Sequence, residues 1–148
     1  MLAALVAWLS TSGIAAWAGG GGIYPLANVV HLFGLVMLLG GIGIVDLRLL
    51  GAFPALPADA LARALTPVGI AGLVVMAISG PVLFAADAQS LVASAVFGWK
   101  LAVIAAALVN AAAFRWLLRE GPGRRAAAVV SLSAWASVAV LGRMIAYS

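Results

Sequence analysis

Cysteine is absent from the 148 residues, which removes disulfides, thiolate metal sites and cysteine nucleophiles and leaves the redox compartment unmarked. Charge is nearly as scarce. Four acidic and eight basic side chains, 8% of the chain, stand against 66% apolar residues and a mean hydropathy of +1.23, whereas soluble domains are about 25% charged. So few polar groups cannot cover a water-soluble core of this length, so lipid must solvate the outside. The chain also lacks a carboxylate pair, a histidine-bearing zinc motif, a nucleophile elbow and a phosphate loop, so hydrolytic and nucleotide chemistry find no support. A net charge of +4 and a pI near 10.8 do not indicate nucleic-acid binding, because the arginines lie beside apolar runs rather than on a basic face. No lysine or arginine precedes Trp17, so no cleaved secretory signal with a basic start is expected.

What is there is long apolar runs. A spanning helix needs about 20 such residues, with every backbone amide bonded inside its own segment. Four stretches qualify, at about 24–50, 61–86, 95–118 and 125–147. The pattern predicts an all-α membrane protein, a four-transmembrane-helix bundle over residues 23–148. Residues 1–22 are read as a separate part, an interfacial helix over 2–17 followed by a Gly-rich hinge, with a fifth span as the alternative. Pro57 and Asp59 mark the start of the second span. Ser79-Gly80-Pro81 predicts a kink within it. Asp87 to Ser90 closes it, and Gly121-Pro122-Gly123 predicts a short turn making the last two spans antiparallel neighbours.

Six arginines (Arg48, Arg63, Arg115, Arg119, Arg124 and Arg125) fall on one side of this arrangement, against Lys100 and Arg143 on the other. The arginine-rich side is expected to be cytoplasmic in a bacterial inner membrane, which puts the loop near Arg124 inside and the C-terminus outside. Tyr24, Trp99 and Tyr147 then sit at outer ends as interfacial anchors.

The only histidine, His31, lies about 10 Å inside the outer boundary of the first span. An intramembrane ionisable ring marks function by default, but it also serves as hydrogen-bonding glue between helices. Ala27, His31, Gly34, Leu38, Gly41 and Val45 share a stripe roughly 80° wide, which should face the bundle interior. Its glycines suit close helix packing or, with Asn28 flanking His31, a slot for a flat ligand. Lys100 and Arg143 share the outer leaflet with His31, and no carboxylate matches them there. A trio converging on an anionic or carbonyl-bearing ligand is one reading, and snorkelling of both long chains to headgroups is the other. At the inner end an ion pair of Asp46 with Arg63 or Arg115 is expected, and Asn110, Ser131 and Ser133 are expected to bond neighbouring helices.

The stretch YPLANVVHLFGLVMLLGGIGIVDLRLLG, then FGWKLAVIAAALVN, then GRMIAY, resembles a family of small bacterial four-helix membrane proteins. That family is distantly similar to the copper-resistance D proteins and to HemJ, the membrane protoporphyrinogen oxidase. In HemJ-like proteins an early-span histidine followed by small residues, and an aromatic residue before a lysine opening a later span, accompany b-type haem. The resemblance carries these roles onto His31, Trp99 and Lys100. With a single histidine, one chain cannot supply two histidine ligands.

Three functions are therefore expected to compete. The first is a redox module binding haem b or a quinone in the outer leaflet. In it His31 is the axial ligand, Lys100 and Arg143 hold an anionic edge, and Asn28, Gly34 and Trp99 line the site, with Met144 or Met76 as sixth ligand. The second is copper handling by His31 with Met37, Met76 or Met144. The third is a non-catalytic scaffold packed through small residues, with no cofactor. The expected partner is the lipid bilayer and not nucleic acid, with a homo-oligomer or a membrane redox partner as open alternatives.

Overall fold

In a computed structural model of the chain, the structure describes residues 2–116, 121 and 123–147. The helices in order are α1 (Leu2–Thr11), α2 (Ile14–Gly19), α3 (Ile23–Leu49), α4 (Ala58–Ala86), α5 (Ala88–Ala93), α6 (Ala95–Trp116) and α7 (Gly123–Met144), followed by a 3-10 turn at Ile145–Tyr147. Among the described residues there is no strand. The chain is an all-α bundle whose four long helices α3, α4, α6 and α7 are each apolar and long enough to cross a membrane. At 27 residues α3 is about 40 Å long, ample for a hydrocarbon core of roughly 30 Å. The end of the third predicted span beyond residue 116, Arg119 and Pro122 of the expected turn lie outside the described residues.

The N-terminal part departs from the single helix expected over 2–17. Thr11 Oγ1 bonds back to Ala7 O at 3.0 Å, and Gly13 takes φ +80, a left-handed geometry that suits glycine and ends α1. Neither α1 nor α2, of 10 and 6 residues, is long enough to span. Instead they pack on the end of α4 and on α5: Leu9 and the fully buried Ala18 meet Ala85 and Ala88. The following glycines form a hydrogen-bonded turn rather than a loose hinge, with Gly20 N–H on Trp17 O and Ile23 N–H on Gly20 O. The short α5, also not expected, follows α4 directly.

The closest pairing is α3 with α4, and glycine makes it possible. A Cβ on Gly41 would lie 2.6 Å from Gly69 N and 2.7 Å from Leu65 O, and one on Gly72 would lie 2.5 Å from Gly34 O and 2.6 Å from Leu38 N. The two backbones therefore touch, the geometry that small residues permit between apolar helices. Each step of three or four residues down α3 is matched by an equal step back along α4, pairing His31 with Ser79, Gly34 with Met76, Leu38 with Gly72 and Gly41 with Gly69. Helix α4 continues as one element through Pro67 and Pro81.

On its other side α3 packs against α7, and α6 packs against α7. Leu38, Met76, Ala107, Trp135 and Val138, drawn from all four spans, form the buried centre. Asn110 donates from Nδ2 to Ala127 O at 3.0 Å, tying α6 to α7 as expected. Ser133 is exposed, and the cross-helix bond expected of it is replaced by Ser137 Oγ donating to its carbonyl along α7.

The glycine seam makes a position-specific prediction. Gly41→Ala should lower thermal stability in detergent by about 1–3 kcal/mol, the cost of overpacking, while Gly40→Ala, whose Cβ would meet nothing within 4 Å, should leave it unchanged or raised. Equal destabilisation by both in circular-dichroism melts would contradict the seam.

Candidate functional site

The half-buried His31 ring sits on the α3 face turned to α4, where its Nδ1 lies 2.9 Å from Ser79 Oγ. Ser79 in turn donates to Val75 O at 2.7 Å, one turn back along α4. A hydroxyl has one proton, and a carbonyl can only accept. Ser79 therefore accepts from His31, so Nδ1 carries the hydrogen and Nε2 of the neutral ring is left as a bare acceptor. Nε2 has no hydrogen-bond partner among the described residues. Gly80 lies beside the ring, where a Cβ would stand 3.6 Å from His31 Cε1, an ordinary contact.

Lys100, near the N-terminal end of α6, is half-buried and interacts electrostatically with His31. Its chain runs over α7 at Gly142, where a Cβ would come within 3.3 Å of Nζ. Arg143 does not join them. Its Nη2 donates to Tyr147 Oη at 2.7 Å and its guanidinium stacks 5.1 Å from that ring, on the exposed end of α7. The cause is helical spacing: Tyr147 lies four residues on, which puts an amphipathic aromatic partner within reach of Arg143.

The other expected residues are dispersed. The Gly34 surface is filled, because a Cβ there would meet Gly72 O and Met76 Cγ, each at 2.8 Å. Of the two readings of the glycine stripe, close packing is the one the structure adopts at this position, and the flat contact surface expected for haem is not assembled there. Met76 is buried in the core, Met37 packs its Cβ towards Gly72, and Met144 is exposed. Asn28 is also exposed. Trp99, 68% exposed, lines an open groove of about 490 Å³ between α6 and α7 with Val103, Ala136, Ser137, Val140 and Leu141. No group of three or more His, Cys, Asp or Glu side chains is placed to hold a metal ion among the described residues.

At the opposite end Asp46 is buried, and its Oδ2 has no hydrogen-bond partner among the described residues. The ion pair expected with Arg63 or Arg115 is not formed. Asp46 faces α7, where Ser131 stands beside its carboxyl, whereas Arg63 and Arg115 are exposed on α4 and α6. Ser131 thus meets a neighbouring helix as expected, and the Asp46 carboxyl has this serine rather than an arginine beside it. Sequence reasoning missed Ser79. The signal for Ser79 was present: a serine about two turns from the C-terminal end of α4, as His31 is about two turns from the N-terminal end of α3.

The two cations should therefore differ in their reach to the ring. Lys100→Met should move the His31 ring resonances in an NMR spectrum of the labelled protein, and Arg143→Met should leave them in place. Equal shifts from both would return Arg143 to the site. In comparisons with known proteins, the chain matches no family model, no curated protein and no solved structure, so its functional reading rests on these residues.

Proposed function

We propose that the chain is a multi-pass protein of the bacterial inner membrane that binds an aromatic redox carrier of the quinone class at His31, in the outer leaflet. The observation that carries this reading is the committed proton of Ser79, which leaves Nε2 of a half-buried ring as an unspent acceptor at membrane depth. A polar atom left without a partner at the depth of the hydrocarbon is costly, so a ligand that donates to it is favoured. A quinol hydroxyl is such a donor. Lys100 supplies N–H donors for the carbonyl form of the same ring, and the isoprenoid tail needs only lipid. Entry is lateral, along the rim where α3 and α4 meet the bilayer, and does not require the filled Gly34 surface. The arginine bias supports placing the Arg124 end in the cytoplasm and the His31 end outside.

A bare Nε2 backed by a hydrogen-bonded Nδ1 is also what an axial haem b ligand needs, with Ser79 orienting the ring. That is the second reading, and its bound group would supply one-electron chemistry. It would have to seat the macrocycle without Arg143 and without the Gly34 face.

Purification in mild detergent followed by solvent extraction and absorption spectroscopy separates the readings. We expect a co-purified quinone-class carrier and no Soret band, with retention of its quinol form, measured under reducing conditions, falling about tenfold in His31→Leu, the worth of one hydrogen bond of roughly 1.4 kcal/mol. Ser79→Ala should weaken retention less, since the ring remains but is no longer held. Unchanged retention in His31→Leu overturns the site, and a Soret band lost in that variant establishes the haem reading in its place.

A further inference from the structure

A second polar centre lies at the arginine-rich end of the bundle, remote from His31. Arg48 and Leu49 at the end of α3, Ala58 at the start of α4, and Gly121, Arg124 and Arg125 at the start of α7 enclose a half-open cavity of about 450 Å³. Three arginines thus line one space, with no ion pair to a carboxylate among the described residues. Asp59, next to Ala58, is exposed, and the Asp46 carboxyl is turned to Ser131.

Three features make this convergence more than a solvated basic edge. Arg48 is fixed in place, because its Nε donates to Leu56 O at 2.6 Å. The first turn of α7 carries two arginines and no acidic residue, so cations sit at the positive end of a 22-residue helix, where the helix dipole opposes them and attracts anions. The cavity also lies where α3 ends and α4 and α7 begin, and the ends of membrane-length helices are where headgroups meet them. Like charges gathered at such a place are stabilised by an anion with several acceptor oxygens, which guanidinium forks bind in bidentate fashion.

We propose that this cavity binds a phosphate oxyanion, carried either by an anionic phospholipid headgroup or by a free phosphate. Arg48 and Arg124, both half-buried, form its walls, and the exposed Arg125 closes its rim. The site is independent of His31 and stands whether or not a redox carrier binds there.

Native mass spectrometry of the detergent-purified full chain, titrated with phosphatidylglycerol, phosphatidylcholine or inorganic phosphate, tests the proposal. Phosphatidylglycerol should be retained in preference to phosphatidylcholine, and retention should fall about fivefold for each of Arg48→Gln, Arg124→Gln and Arg125→Gln. Arg63→Gln, exposed at the same end but outside the cavity, should leave it unchanged and controls for general loss of charge. If inorganic phosphate binds with the same arginine dependence and displaces the lipid, the oxyanion site holds and free phosphate or a soluble ester is a source. Equal retention of the two lipids, or an equal loss from Arg63→Gln, overturns the proposal. Should a single variant fold poorly, Arg124→Lys keeps the charge and is expected to bind more weakly than the native chain but better than Arg124→Gln.

Discussion

The rest of the bundle depends on how closely α3 and α4 approach. In lipid the two helices gain nothing from hiding apolar surface, so their contact rests on packing, and packing at this distance needs glycine on both backbones. Gly34 and Gly41 face Gly69 and Gly72 with separations that leave no room for a methyl group. That fit locks the register, because sliding α4 by one residue would bring side chains into the seam. Once the register is locked, His31 stands opposite Ser79 and Leu38 opposite Gly72. The His31–Ser79 pairing is therefore a consequence of packing several turns away along the seam.

The same seam frees the opposite flank of α3 for α7. Asp46 reaches Ser131 there, and Trp135 and Val138 complete the core with Leu38 and Met76. The two halves of the chain differ in how they join. The α3–α4 hairpin is joined by backbone contact, whereas α6 and α7 are joined by side chains, with Asn110 on Ala127 O and Lys100 across Gly142. Polar groups gather at the two ends: an unspent nitrogen with one amine at the His31 end, and three arginines around a cavity at the arginine-rich end. Both ends are short of a complementary group among the described residues.

Much of this was legible in the sequence because bilayer thickness translates directly into run length. The four spans, the antiparallel α6–α7 pair, the inward stripe through Gly34, Leu38, Gly41 and Val45, and the bond made by Asn110 follow from apolar length and helical spacing. What was not legible depends on rotation of one helix against another. The stripe on α3 was visible, but Gly69 and Gly72 become its counterpart only once the register is known. Ser79 read as part of a kink beside Pro81 rather than as the partner of His31. Arg143 looked inward by depth alone, yet Tyr147 one turn away holds it at the surface. The break of the N-terminal segment at Gly13 was signalled by Ser10-Thr11-Ser12-Gly13, and the docking of Ala18 on Ala85 was not, since two alanines carry no directional signal.

The central claim is that α4 fixes the tautomer of His31 and so determines which nitrogen meets a ligand. Solid-state NMR of protein carrying ¹⁵N-labelled histidine in lipid bilayers measures this on one residue, because the chain has a single histidine. The account predicts a neutral ring with hydrogen on Nδ1 and a bare Nε2 in the ligand-free protein. A ring protonated on Nε2 with Nδ1 bare would contradict it, since Ser79 would then donate to His31 rather than to Val75 O.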